Sequence, residues 1–235
     1  MKFTYGVDPE LFVMNEGQFV SAHDLIPGTK ECPHGVKFGA VQVDGVAAEF
    51  NINPASYRNE FIDNIELVKN ELLSFVRVTL PKAELVATPT AWFDPEYFAS
   101  LPDEARLLGC SPDFDAYTGL ENEPPSTDKP FRTGSGHVHI GWTDYVDPYD
   151  PEHFKLCCEL TKALDKTVYE ASLKWDKDVT RRTLYGKMGA FRPKFYGLEY
   201  RPLSNAYLAD RSMKTTGLVY DLVSETVERF FHDRA

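Results

Sequence analysis

Cysteine is scarce in this chain, with four among 235 residues: Cys32, Cys110, Cys157 and Cys158. No pair has CxxC spacing, which argues against a disulfide framework and against a cysteine-based zinc site. Reduced, mostly buried thiols are expected. Long apolar runs are also missing. None approaches the roughly 18 residues of a membrane span, and the opening Met1-Lys2-Phe3-Thr4-Tyr5 has no apolar stretch of the signal-peptide kind. The expected location is the cytoplasm, with no membrane partner. Positive charge is in deficit, 25 Lys and Arg against 36 Asp and Glu, for a net −11. That deficit excludes general nucleic-acid binding, which needs cations to replace the counterions on phosphates.

What remains is ordinary globular composition, 43% hydrophobic and 26% charged. No repeat, low-complexity tract or linker divides the chain, so one domain over 1–235 is expected. Residues 3–14 read as a strand that Pro9 places at an edge or breaks. Residues 38–53 form a second extended stretch, with Asp44-Gly45 as a hairpin turn. Phe61, Ile65, Val68, Leu72 and Phe75 recur at helical spacing before Pro81. Leu85–Phe93 reads as a strand. The Pro-, Gly- and acid-rich stretch 94–131 reads as a long loop of functional type, its Trp92, Phe93, Tyr97, Asp113, Phe114 and Tyr117 candidates to shape a pocket. A strand over 136–142, a helix over 152–174, a Gly- and Arg-rich segment from Arg181 to Gly197, a strand over 198–201 and a helix near 205–231 complete the chain. Strands and helices mix without a βαβ rhythm, which predicts an α+β fold with a largely antiparallel sheet.

Residues two apart on a strand share a face. Three strands carry charged or imidazole pairs at that spacing: Asp8 with Glu10, His137 with His139, and Glu199 with Arg201. Glu49 sits on a fourth. Each pair has a structural alternative: edge-strand charges, ordinary polar alternation, or a cross-strand ion pair. Together they point to chemistry, because gathered carboxylates repel unless a cation sits among them. Mg²⁺ suits such a site, taking hard oxygen ligands and keeping waters that phosphates can replace. The turn Thr133-Gly134-Ser135-Gly136 beside the histidines predicts close approach of backbone to a ligand.

With those residues in view, the chain resembles the phage-type COOH–NH2 ligases, the type 2 amidoligases, a family similar to glutamine synthetase and glutamate–cysteine ligase. The resemblance rests on an ordered set of segments: Gly6-Val7-Asp8-Pro9-Glu10, Asp44-Gly45-Val46-Ala47-Ala48-Glu49-Phe50, Gly109-Cys110-Ser111-Pro112-Asp113-Phe114, Arg132 to Gly141, Tyr185 to Arg192, and Tyr196 to Asn205. It implies a curved, mainly antiparallel sheet with helices on the convex face, as in the glutamine synthetase catalytic domain, and with ATP and Mg²⁺ (or Mn²⁺) on the concave face. Carried over by position, Asp8, Glu10, Glu49, His137 and Glu199 are the implied metal ligands. His137, His139, Arg132 and Arg201 contact the nucleotide, and Glu49, Arg192 and Arg201 serve catalysis. At one point the chain departs from the family, whose first strand usually carries Glu-x-Glu where this chain has Asp8-Pro9-Glu10.

The implied reaction activates a carboxylate by phosphorylation and lets an amine attack the acyl phosphate, with Glu49 or Asp113 as base. Substrates would be small-molecule or peptide carboxylates and amines, a homo-oligomer is compatible, and a phage-encoded chain would work in the host cytoplasm. Two rivals stand beside this reading. One is a zinc hydrolase built on His137 and His139, although His23, His34, His153 and His232 offer no matching third ligand by spacing. The other is a non-catalytic nucleotide-binding protein on a ligase fold.

Overall fold

The computed structural model describes residues 2–106, 112–126 and 129–234; the expectation for Cys110 and for Gly109–Ser111 lies outside them. Pro9 breaks the first extended stretch, as its missing N–H demands. β1 (Thr4–Val7) and β2 (Glu10–Asn15) therefore enter different sheets. β2 pairs with β3 (Gln18–Val20), with β6 (Ala47–Ile52) and, further along, with β7 (Glu84–Val86). β5 (Gly39–Asp44) joins β6 through the expected hairpin, with Gly45 at φ 57°, and also pairs with β4 (His34–Val36). Every pairing in this sheet is antiparallel.

The predicted strand over 85–93 divides in two. Pro89 cannot continue a ladder, so β7 stays with β2 while β8 (Thr90–Trp92) pairs with β10 (Phe131–Thr133). Within the long stretch between them lie α2 (Pro95–Ser100), α3 (Asp103–Arg106) and β9 (Phe114–Asp115). A further antiparallel sheet runs β1, β11 (Val138–Gly141), β13 (Gly197–Tyr200), β12 (Ala190–Lys194), β9. β12 lies inside the segment that composition alone marked only as Gly- and Arg-rich. The architecture is α+β with antiparallel sheets, as expected.

Helices cover one side of these strands. α1 (Arg58–Thr79) packs against β5 and β6 through Phe61, Ile65, Val68, Leu72 and Val76. α4 (Pro151–Leu164) begins on Asp150, whose carboxylate accepts from the backbone of Glu152 and His153, with proline at the first helical position. It packs on β12 and continues through a π-helical turn, Asp165–Tyr169, into α5 (Glu170–Ser172). α6 (Val179–Leu184) is capped by Asp178. The single helix expected near 205–231 is interrupted. Asp210 accepts from the backbone of Ser212 and Thr215, and such local bonds compete with the helix ladder. A short 3₁₀ turn, Asn205–Leu208, therefore precedes α7 (Lys214–His232), which touches both α1 and α4. Among the described residues no helix is long and apolar enough to cross a membrane. Cys157 and Cys158 are buried as expected, whereas Cys32 is exposed.

Candidate active site

Strand register, rather than any single motif, assembles the site. In the sheet containing β11 and β13, His139 lies opposite Glu199, which lies opposite Arg192, and Gly6 faces His139 on the other side. One row therefore crosses four strands as Gly6, His139, Glu199, Arg192. Its neighbouring row, Val7, Val138, Tyr200 and Phe191, is buried in the core. In the other sheet Glu10 lies opposite Glu49, and Glu49 opposite Gln42. Asp8 sits where the chain passes from one sheet to the other, and the two rows meet there.

The row through Glu199 is rich in cations. Glu199 is fully buried and pairs with Arg192 (2.9 Å), Lys194 (3.0 Å) and Arg201. Burial and Asp8 would raise its pKa, but His139, Arg192 and Lys194 outweigh them and hold it below the usual range. Asp8 lies 3.1 Å from His139 Nε2 and 3.3 Å from His137 Nδ1. Burial opposes its charge, yet the two imidazoles hold its pKa well below normal. Burial likewise opposes charge on His139, and Asp8 and Glu199 reverse this to raise its pKa. His137 goes the other way. Burial and then Arg201 lower it to about 4, so it is neutral at pH 7.

The row through Glu49 is acidic. Burial, followed by Asp44 and Asp8, raises Glu10 to about 7, although the Ser135 backbone N–H donates to its carboxylate at 2.9 Å. Burial and then Asp8, Glu10 and Asp44 push Glu49 well above its usual range, and Gln42 donates to it at 2.7 Å. Lys30 reaches this edge, pairing with Asp44 at 3.3 Å. The two carboxylates thus lack full compensation, the condition a hard cation relieves.

One group of donors has the spacing to hold a cation, although Glu199 in it is already paired with Arg192, Lys194 and Arg201. Asp8, His139 and Glu199 offer ligand atoms all within 4.8 Å of one another. Asp8 Oδ1 and His139 Nε2 are buried without a hydrogen-bond partner, Oδ1 lying 3.3 Å from His137 Nδ1 and Nε2 lying 3.1 Å from Asp8 Oδ2. The Tyr196 hydroxyl engages His139 Nδ1 at 2.5 Å, which leaves Nε2 facing Asp8. A cleft of about 640 Å³ opens over both rows, lined by Asp8, Glu49, His139, Arg192, Lys194 and Glu199 among others.

Of the sequence-predicted residues, the structure brings together Asp8, Glu10, Glu49, His137, His139, Arg192, Glu199 and Arg201. Arg132 is not among them. Its guanidinium lies over Phe98, 4.6 Å from the ring centroid, and donates to the Phe131 carbonyl. Asp113 is locked to Arg201 at 2.9 Å and to Asn122 at 2.8 Å. The glycine turn is not spare room for a ligand. A Cβ at Gly134 would strike the Asn205 side chain, and one at Gly136 would strike the Ser204 carbonyl and the Tyr207 ring. Its role is to grip β2, because the Ser135 carbonyl accepts from Glu10 N as its N–H donates to the Glu10 carboxylate.

The aromatic residues expected to shape one pocket are dispersed. Trp92 lies against Phe131, Phe93 is buried among Phe12, Phe19 and Phe98, and Phe114 packs on Phe154 and Phe191. The Tyr97 hydroxyl accepts from Ser21 N, and Tyr117 lies against Lys162. Asp113 does line a second cavity of about 570 Å³, with Asp115, Glu121, Tyr185 and Lys187.

Sequence reasoning missed the supports. Arg181, fully buried, donates to the carbonyls of Pro202 and Leu203, both at 2.9 Å, and so fixes the backbone after Arg201. Asp165, placed by the π-helical turn, accepts from the Tyr200 hydroxyl at 2.8 Å on the helix side of β13. Burial raises the Asp165 pKa to about 6 despite the tyrosine hydrogen bonds. The folded state then keeps a proton that the unfolded chain releases near pH 4, roughly the ordinary aspartate value. Stability contributed here is expected to fall as pH rises from about 4 to about 6. Asp165→Asn should remove that slope from a plot of Tm against pH.

Compared with known proteins, the chain matches no family model, and no curated protein matches it.

Proposed function

We propose that the chain is an ATP- and Mg²⁺-dependent carboxylate–amine ligase of the type 2 amidoligase kind, with a glutamine synthetase-like arrangement of its sheets, acting in the cytoplasm. One observation carries the reading. A single cleft is acidic on one side, at Asp8 and at Glu49 with Glu10 paired behind it, and cationic on the other, at Arg192 and Lys194. A site that must neutralise phosphates, hold a cation and orient a second anion needs both halves. A simple anion receptor needs only the cationic half.

Asp8, Glu10 and Glu49 would hold the cation, with His139 beside them. Bound Mg²⁺ supplies charge neutralisation of the β- and γ-phosphates, typically several kcal/mol of transition-state stabilisation. Arg192 and Lys194 bind phosphate oxygens and orient the γ-phosphoryl group for in-line transfer to the substrate carboxylate. Arg201 is fixed by Asp113 and holds Glu199 in place from one side. His137, neutral and hydrogen-bonded through Nε2 to the Tyr185 hydroxyl at 3.3 Å, adds no charge beside Arg201. Glu49 is also the group placed to accept the proton that the attacking amine releases.

A second reading has one observation in its favour: Asp8, His139 and Glu199 resemble a zinc ligand set. Against it stand the three cations already committed to Glu199. The test is Mg²⁺-dependent ADP release across panels of carboxylates and amines. ADP formed only when both are supplied is the expected result. Stoichiometric, tightly held zinc with no response to ATP would overturn the proposal in favour of hydrolysis.

A further inference from the structure

The hairpin between β12 and β13 turns through Phe195-Tyr196, where glycine or asparagine would be the usual choice. Both side chains line the mouth of the 640 Å³ cleft. Tyr196 has a reason to be there, since its hydroxyl holds His139. Phe195 packs edge-on against the Tyr196 ring, 5.1 Å between centroids, yet remains 50% exposed at the tip. It is nevertheless held firmly. The Val146 N–H donates to the Phe195 carbonyl at 2.9 Å and the Trp142 N–H to the Tyr196 carbonyl at 3.0 Å. The segment after β11 that makes these bonds carries Tyr145, 78% exposed, with its ring centroid 6.3 Å from that of Phe195 and the rings inclined by 32°. Two exposed, mutually tilted rings, of which Phe195 lines the charged cleft, form a π surface that solvent alone does not favour.

Immediately inward from Phe195 come Lys194 and, two residues back on the same face of β12, Arg192; both line the cleft. A ligand that is flat and aromatic at one end and polyanionic at the other meets the rings and the cations in that order. Resting on the ligase reading above, we propose that Phe195, flanked by Tyr145, is the platform on which the purine of a bound nucleoside triphosphate stacks. Its triphosphate then runs inward to Lys194 and Arg192. Stacking of a base on an aromatic side chain discriminates little among bases but adds substantially to affinity.

The test compares Mg·ATP with Mg·tripolyphosphate, which has the same anionic end and no base, by calorimetric titration of the whole protein. Wild-type protein is expected to prefer ATP by about ten- to a hundredfold, the range that a stacked base contributes. Phe195→Ala should erase that preference while leaving tripolyphosphate affinity unchanged, Phe195→Trp should keep it, and Tyr145→Ala should reduce it. Bound ATP should also quench the new indole in Phe195→Trp, a readout independent of turnover. If Phe195→Ala keeps the ATP preference, the platform is wrong and the ligase reading survives. If the variant weakens both ligands equally, the residue acts only by supporting Tyr196, and the platform is again wrong. If wild-type protein binds neither ligand, the nucleotide reading of the cleft falls and takes this inference with it.

Discussion

Glu49→Gln is expected to lower Mg²⁺-dependent ADP formation by roughly 10²–10⁴-fold, corresponding to several kcal/mol of lost transition-state stabilisation. The same change should raise the Tm of the metal-free protein at pH 8. The two effects have one cause. Glu49 is buried next to Glu10, Asp8 and Asp44, and its pKa is pushed well above normal. In the metal-free state its ionisation is a cost of folding that the Gln42 hydrogen bond and nearby Lys30 offset in part and a bound cation would offset further. A carboxyl with a raised native pKa keeps its proton in the folded state while the unfolded chain ionises, so metal-free stability drops as pH climbs from the ordinary glutamate value. For Glu10 the drop ends at about 7. Glutamine at 49 keeps the shape and the contact with Gln42 without the charge. Melting curves between pH 5 and 8, with and without Mg²⁺, should show wild-type protein gaining from magnesium mainly above pH 7 and Glu49→Gln gaining little. A variant that loses stability at pH 8 and keeps its magnesium response would count against a cation at this row.

Arg201→Ala should cost about 3–5 kcal/mol of stability, the usual result of removing one partner of a buried ion pair. In a chain of this size that is a Tm loss on the order of 10 °C. The cost should fall unequally on the two partners. Glu199 keeps Arg192 and Lys194, whereas Asp113, buried, keeps only Asn122 among the partners described here. Arg201 also lies over the Tyr185 ring at 5.1 Å, so the neutral variant loses packing as well as charge. Adding Asp113→Asn to Arg201→Ala should therefore recover part of the loss in urea denaturation. Adding Glu199→Gln should recover less, because its other two cations then lose their partner. Equal recovery from both would mean that the charge is shared differently from the geometry described.

Much of this site was legible from alternation alone. His137 with His139 and Glu199 with Arg201 stand two apart, and Pro9 marked where the first strand divides. Register was not legible. Nothing in the sequence says that His139 faces Glu199, or that Glu10 faces Glu49, because register depends on which strands pair and the pairing is long-range. Arg192 was identified by resemblance, while its strand, containing Pro193 and preceded by Gly186 and Gly189, lacked the composition of one. Arg132 shows the opposite failure. It neighbours the glycine turn in sequence, yet the partners of β10 turn it toward Phe98. Gly134 and Gly136 predict close approach of backbone to a ligand, and what comes close to them in the fold is Asn205, Ser204 and Tyr207. Sequence marks a need for no Cβ without telling what occupies the room.

The central claim is that a cation and a nucleotide's phosphates meet between the two strand rows. Crystals grown with Mn²⁺ and a non-hydrolysable ATP analogue, measured at the manganese absorption edge, test it most directly. The account predicts an anomalous peak at coordination distance from Glu10 or Glu49, with the terminal phosphates beside Arg192 and Lys194. Nucleotide bound elsewhere, or a metal held by His137 and His139 with Glu10 and Glu49 uninvolved, would contradict it.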